Sequence, residues 1–274
     1  MRLLNALTQE LELFPDPVSN DVPYAILSHT WMDDEVTFED MKDVPVAQTK
    51  VGFAKIRAAC DKAAEFGLHY IWVDTCCIDK SSSAELSEAI NSMYRWYKNS
   101  TICFAFLADL PSKGSPVQSV PSSMRGCRWF TRGWTLQELI APHNFMFVDE
   151  DWKDVGTKVD LSGEIEAITG ISRWVLDGSQ SLASIPLAKR MSWAAARQTT
   201  RVEDKAYCLL GIFGVNMPMI YGEGCAAFIR LQQAILSMTT DLSLFAWEAF
   251  DSQSDSCRGI LAESPAEFLN CGSI

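Results

Sequence analysis

Four short apolar runs, at 24–28, 70–74, 102–107 and 145–148, alternate with segments whose apolar residues recur at helical spacing. That alternation constrains the chain more than any other feature. Strand runs of this length, without an apolar/polar alternation of their own, suit a sheet buried on both faces, and intervening helices are what cover such faces. Between the first two runs, Phe53, Ile56, Cys60 and Ala63 fall on one helical face, and Gly67 supplies a stop. Ser82 followed by Glu85 has the spacing of a capping box, and Leu86, Ala89, Ile90, Met93 and Tyr97 continue as a buried stripe. The expected fold class is therefore α/β, with an open, mainly parallel, flavodoxin-like sheet whose ligand crevice lies at the carboxyl ends of the strands.

From residue 151 the pattern becomes helical. Segments 161–169, stopped at Gly170, 187–195, and 202–210, stopped at Gly211, are followed by a stripe of Phe228, Leu231, Ile235 and Met238. A last strand is expected at 242–247. The Pro/Ser/Gly-rich stretch 111–126 reads as a surface loop, and the polar stretch 251–274 as the start of a linker.

Composition excludes several classes. With 274 residues and 48% hydrophobic content the chain can bury a substantial core. No apolar run is long enough to span a bilayer, and Glu10 and Glu12 interrupt any leader-like start, so a cytoplasmic protein is expected. A net charge of −12 argues against a nucleic-acid partner but leaves room for a local basic pocket holding one dinucleotide. Nine cysteines, an odd number, read as reduced thiols. Cys76 and Cys77 are adjacent and there are only three histidines, so no metal-ligand spacing is present and no metal is expected.

Three sequence blocks carry a resemblance: Tyr24-Ala25-Ile26-Leu27-Ser28-His29-Thr30-Trp31, Tyr70-Ile71-Trp72-Val73-Asp74-Thr75-Cys76-Cys77-Ile78-Asp79, and Arg132-Gly133-Trp134-Thr135-Leu136-Gln137-Glu138. In this order they closely resemble the fungal heterokaryon-incompatibility (HET) domain. Arg201-Val202-Glu203-Asp204-Lys205-Ala206-Tyr207-Cys208-Leu209-Leu210-Gly211 and Tyr221-Gly222-Glu223-Gly224 extend the likeness over nearly the whole chain. The resemblance implies a TIR-like α/β core at about 20–150, a helical extension at about 151–250, and a place at the N-terminus of a larger receptor that self-associates through an oligomerisation module. It also implies a role as cell-death effector in vegetative incompatibility, opposite an incompatible-allele partner.

Trp134 and Glu138 stand four apart, neighbours on a helix that Pro142 soon ends. In TIR enzymes that split NAD, W-x-x-x-E carries the catalytic glutamate, so the resemblance makes Glu138 the catalytic candidate, with NAD as substrate and no further cofactor. A carboxylate near the ribose gains strength as an oxocarbenium-like charge develops. Glu138 could equally form a structural ion pair with Arg132 or Arg128. Ser28, His29, Trp31 and Asp74 lie at strand ends, where a base can stack and ribose or phosphate can be bonded. Arg132 offers a planar donor fork for phosphate. Two rival readings remain: a cysteine nucleophile, with Cys76 or Cys77 beside His29, and a non-enzymatic adaptor signalling by homotypic assembly. Gly222-Glu223-Gly224-Cys225-Ala226-Ala227 matches a dinucleotide fingerprint formally, but it reads as a tight turn because Glu223 would repel a pyrophosphate.

Overall fold

Seven strands, β1 (Arg2–Asn5), β2 (Leu11–Leu13), β3 (Ala25–His29), β4 (Tyr70–Trp72), β5 (Ile102–Phe106), β6 (Phe145–Val148) and β7 (Asp154–Thr157), form one open sheet in the order β2-β1-β4-β3-β5-β6-β7. This is a computed structural model of the chain, and it describes residues 1–15, 22–112, 123–249 and 259–274. The four central strands β4, β3, β5 and β6 run parallel, and the sheet is finished by antiparallel pairs at both edges. Among the parallel four, the chain order across the sheet is second, first, third, fourth, which is the flavodoxin-like arrangement. It reverses between β3 and β5, where His29 stands opposite Phe106 at the carboxyl ends.

Every residue of β3 and of β5 is buried. Such strands lose water on both faces, which is why they read as unbroken apolar runs. The Phe53–Glu65 helix turns Phe53, Ile56, Ala59, Cys60 and Ala63 inward and ends at Gly67, whose φ of 70° is a conformation glycine adopts without steric cost. The Ser83–Asn99 helix starts as expected, with Ser82 Oγ accepting the Glu85 N–H at 3.3 Å. Glu85 does not return the bond to Ser82. Its carboxylate accepts the Asp79 N–H at 2.8 Å and pairs with Arg2, tying the first strand to the loop after β4.

The chain divides into two compact units, Met1–Trp129 with Ala141–Asp160, and Phe130–Ile140 with Leu161–Ile274. The first holds the whole sheet. The second is helical, with helices at Thr135–Ile140, Ser162–Thr169, Arg173–Leu176, Leu187–Ser192, Asp204–Tyr207, Leu210–Phe213 and Ala226–Leu236. The segment carrying Trp134 and Glu138 thus belongs with the helical residues, although it lies between two strands in sequence.

Several expectations are corrected. The strand expected at 242–247 is a 3-10 helix, Leu242–Phe245, because Asp241 caps it by accepting the Ser243 N–H. The helix expected over 202–210 is two short helices, and the stop falls at Gly214 (φ 67°) rather than Gly211. Strand β4 ends at Trp72, two residues short of Asp74. Strands β1, β2 and β7 are too short to show a period and gave no signal. Within 251–274, Pro265–Ser273 forms a 3-10 helix that buries Phe268 and Cys271 and packs on the Leu187–Ser192 helix. Buried Gln232 fixes the approach, donating to the Ala262 carbonyl at 2.7 Å and accepting the Ala262 N–H at 3.0 Å. Most of the loop expected at 111–126 lies outside the described residues. Among the described residues no helix is long and apolar enough to cross a membrane.

Gly52 is at an ordinary helical φ, so its lack of a side chain answers a spatial need. A Cβ there would meet the Asp34 carbonyl at 2.8 Å and Glu35 Cα at 3.1 Å, both backbone atoms. Gly52→Ala is therefore expected to lower stability by about 1–3 kcal/mol, read as a lower urea midpoint at unchanged m-value. A variant as stable as the parent would show that segment 34–35 is not held against the helix.

Candidate functional site

Two constellations contain the residues singled out in the sequence, one in each unit. In the first, β3 delivers His29 to the carboxyl edge of the sheet, and the neighbouring β4 delivers Asp74 just beyond its end. His29 Nε2 lies 2.9 Å from Asp74 Oδ1, and the Trp31 indole N–H donates to Asp74 Oδ2 at 2.8 Å. The Lys80 ammonium sits 3.7 Å from the centre of the Trp31 ring, a cation–π contact. Burial alone would raise the Asp74 carboxyl. The charge of Lys80 and the bonds from His29 and Trp31 outweigh it and hold the group well below the usual carboxylate range.

On the other edge of the imidazole, Glu35 Oε1 lies 4.0 Å from His29 Nδ1, accepts the Met32 N–H at 2.8 Å and pairs with the buried Lys55. Burial lowers the Lys55 ammonium, and its hydrogen bond to Glu35 opposes that. Among the described residues His29 Nδ1 and Glu35 Oε2 are buried without a hydrogen-bond partner. An imidazole is thus oriented between two carboxylates, beside an indole that is 41% exposed. Such a group can bond a hydroxyl or move a proton. Ser28 faces elsewhere, since its Oγ accepts the buried Trp129 indole N–H at 2.8 Å.

Of the residues gathered here, His29, Trp31 and Asp74 were named from the sequence, whereas Glu35, Lys55 and Lys80 were not. Lys80 directly follows the second block, yet nothing in its spacing places it on Trp31. Cys76 and Cys77 are buried, and a hydrogen bond with Cys77 followed by burial pushes the Cys76 thiol well above its ordinary value. A thiol held protonated is a poor nucleophile. All eight described cysteines are free thiols.

The fold favours ionised Asp74, so its contribution to stability is complete above the ordinary aspartate range and is lost as pH falls through and below about 4. Asp74→Asn is expected to cost about 2 kcal/mol at neutral pH, with the gap to the parent closing in acid. Thermal melts from about pH 3 to about pH 7, a range spanning the ordinary aspartate value, test this; a gap of constant size would remove the ionic role.

In the second unit, all six residues of the Thr135–Ile140 helix are buried, and Glu138 is 7% exposed. Trp134 stands just before the helix, its indole N–H donating to Asp204 Oδ2 at 3.3 Å, while Asp204 Oδ1 accepts the Tyr221 hydroxyl at 3.0 Å. Burial raises the Asp204 carboxyl despite these two bonds. The Arg201 guanidinium lies 4.2 Å over the Tyr221 ring. Arg197 holds the start of the helix, donating from Nη1 to the Arg132 carbonyl at 2.8 Å and to Thr135 Oγ1 at 3.0 Å. Burial lowers the Arg197 guanidinium to about 10, with Cys208 and Glu138 acting electrostatically in the opposite sense. Arg197 was not singled out in the sequence, and its charge acts on Glu138.

Arg132 contributes backbone here, bridging Gln198 and accepting from Thr135 Oγ1 at 2.9 Å. Gly133 permits that approach, since a Cβ would meet Thr199 Cγ2 at 2.5 Å and Cys208 Sγ at 3.2 Å. The formal fingerprint at Gly222–Gly224 is a turn built on an acid. Glu203 accepts the N–H groups of Gly222 and Gly224 at 2.8 and 3.0 Å, and both glycines have positive φ. Its own and these backbone bonds lower the Glu203 carboxyl. Glu203 thereby occupies donors that a pyrophosphate would need.

Residues 24–125, which hold β3, β4, β5 and the His29–Asp74–Trp31 constellation, match the family Heterokaryon incompatibility protein (HET). The chain carries a HET domain. It is 48% identical over 219 residues to the Vegetative incompatibility protein HET-E-1 of Podospora anserina, an alignment covering 78% of this chain and 16% of that protein. The chain thus spans a small part of that relative's length. Residues 226–267, from the Ala226–Leu236 helix onward, match a domain of unknown function, DUF8212. No solved structure matches the chain. The family match to the HET domain ends before Trp134, so the Glu138 constellation lies beyond it.

Proposed function

We propose that this HET domain is a cell-death effector in heterokaryon incompatibility and that it cleaves NAD at the nicotinamide–ribose bond through Glu138. The observation that carries the chemical part is a carboxylate buried on the helix after Trp134, in the field of the equally buried Arg197. The relative's name, a vegetative incompatibility protein, supports the biological part. Nicotinamide leaves a cationic pyridinium as a neutral molecule, so no general acid is needed. The C–N bond breaks with its electron pair on nicotinamide, and the ribose carbon becomes oxocarbenium-like. A carboxylate bonded to the ribose hydroxyls strengthens as that charge grows, and water then adds and loses a proton to give ADP-ribose.

Glu138→Gln keeps the shape and removes the charge. It is expected to abolish nicotinamide release and toxicity while leaving the melting temperature near that of the parent. Unchanged toxicity of a soluble, folded Glu138→Gln protein expressed in fungal cells would falsify the role of this residue.

One observation favours a second reading, a non-enzymatic adaptor that triggers death by assembly: every residue of the Thr135–Ile140 helix is buried, so Glu138, 7% exposed, presents little surface to a substrate. The enzymatic reading answers this with self-association, driven by an oligomerisation module elsewhere in a longer cytoplasmic receptor and set off by an incompatible-allele partner. Assembly would raise the fraction of molecules whose site is competent, and apparent substrate affinity follows that fraction. Nicotinamide release per molecule is expected to rise with protein concentration and on fusion to an inducible oligomer. An adaptor releases none at any concentration, and a rate per molecule that does not change with dilution sinks the assembly step.

A further inference from the structure

The second unit contains a cavity of about 30 Å³ whose lining includes Gly133, Arg197, Thr199, Lys205, Cys208 and Ser264. Among the described residues its charged lining is Arg197 and Lys205, with no carboxylate beside them. In a chain of net charge −12 that is an uneven local distribution. Arg197 is 9% exposed, and three of its bonds go to neutral oxygens, those of Trp193, Arg132 and Thr135. Its remaining terminal nitrogen, Nη2, is buried without a hydrogen-bond partner among the described residues. A buried guanidinium with an unmet N–H is costly to keep, because both its charge and that donor have left water.

We infer that this cavity is a binding site for a small tetrahedral oxyanion, phosphate or the terminal phosphate of a phosphomonoester. Arg197 lines it from the buried side, with a guanidinium whose Nη2 has no hydrogen-bond partner among the described residues. Lys205, half-buried on the Asp204–Tyr207 helix, supplies a second positive charge, and Thr199 and Ser264, whose hydroxyls bond the Arg201 carbonyl and the Ala266 N–H, line the same space. A guanidinium with one uncommitted N–H and an ammonium in the same lining are donors that suit phosphate. The volume holds one or two waters, or an anion of about that size, and excludes a larger group in its depth. Glu138 does not line the cavity, although it acts on Arg197 electrostatically. The inference does not depend on NAD cleavage, and its test reads binding and not turnover.

The test is calorimetric titration of the whole purified chain with sodium phosphate and, separately, with AMP, against sodium chloride at matched ionic strength, with thermal melts alongside. Phosphate is expected to bind at one site and raise the melting temperature where chloride does not. AMP binding as tightly as phosphate assigns the site to a phosphomonoester, and phosphate alone assigns it to the free ion. Lys205→Ala is expected to weaken binding about tenfold, the cost of one charge-assisted bond, and Lys205→Arg to restore it. Arg197→Lys should remove binding. Because Arg197 also braces the Thr135–Ile140 helix, the Lys205 pair decides if that variant does not fold. Lys153→Ala, on an exposed lysine of the other unit, should bind as the parent does. Absence of any phosphate effect beyond chloride, or an equal loss in Lys205→Ala and Lys153→Ala, overturns the site.

Discussion

Strands β3 and β5 bury every one of their side chains, so any polar group they carry must find a partner inside the protein. That constraint organises the sheet unit. Ser28, in the middle of an apolar run, is met by the Trp129 indole, which stacks edge-on against Phe147 of β6. The Tyr97 hydroxyl donates to the Leu27 carbonyl at 3.0 Å and the Tyr24 hydroxyl to the Trp96 carbonyl at 2.6 Å, fixing the crossover helix to the strand it covers. Of the side chains on these two strands, His29 alone, at the carboxyl end, keeps a buried polar atom without a partner among the described residues. The same burial that makes the strands legible in sequence concentrates the available chemistry at one edge.

Charge in this acidic chain is handled by pairing cations at depth. Lys55 meets Glu35, and Lys62 is shared between Glu65 and Asp154 at 2.9 and 2.7 Å. Lys158 is buried with its ammonium donating to the Pro142 carbonyl at 2.6 Å, and burial lowers it to about 8. Each buried cation carries a desolvation cost, and geometry offsets it only where the donors are used. Arg197 departs from this pattern, because it braces the Thr135–Ile140 helix and yet leaves one terminal nitrogen without a hydrogen-bond partner among the described residues. This is why Arg197, and not the more conspicuous Arg132, links the proposed catalytic carboxylate to a cavity.

In the helical unit, motif residues are spent on one another. Glu203 and Glu223 hold the turn around Gly222 and Gly224 through backbone N–H groups and the Tyr207 hydroxyl, while Asp204 joins Trp134 to Tyr221. The blocks at 201–211 and 221–224 are therefore a single braced structure that fixes the indole preceding Glu138. Rigid support of this kind is what a positioned carboxylate needs, and it equally serves a purely structural helix.

The sequence by itself determined the parallel order of the sheet, the two crossover helices, the strand-end placement of His29 and Asp74, and the reading of Gly222–Gly224 as a turn, because each rests on local periodicity or on a residue's own chemistry. It did not determine β1, β2 and β7, which are three or four residues long and exist only because a neighbouring strand supplies their partners. Nor could it reveal that Glu35 and Lys80 flank the His29–Asp74 pair, or that Pro265–Ser273 folds back as a helix. The reach of Arg197 to Arg132 at the start of a helix, 65 positions earlier in the chain, was equally hidden. Those are contacts between residues distant in sequence. Helical period and capping signals act within a few residues, whereas the field at a buried charge depends on whatever the tertiary fold packs against it.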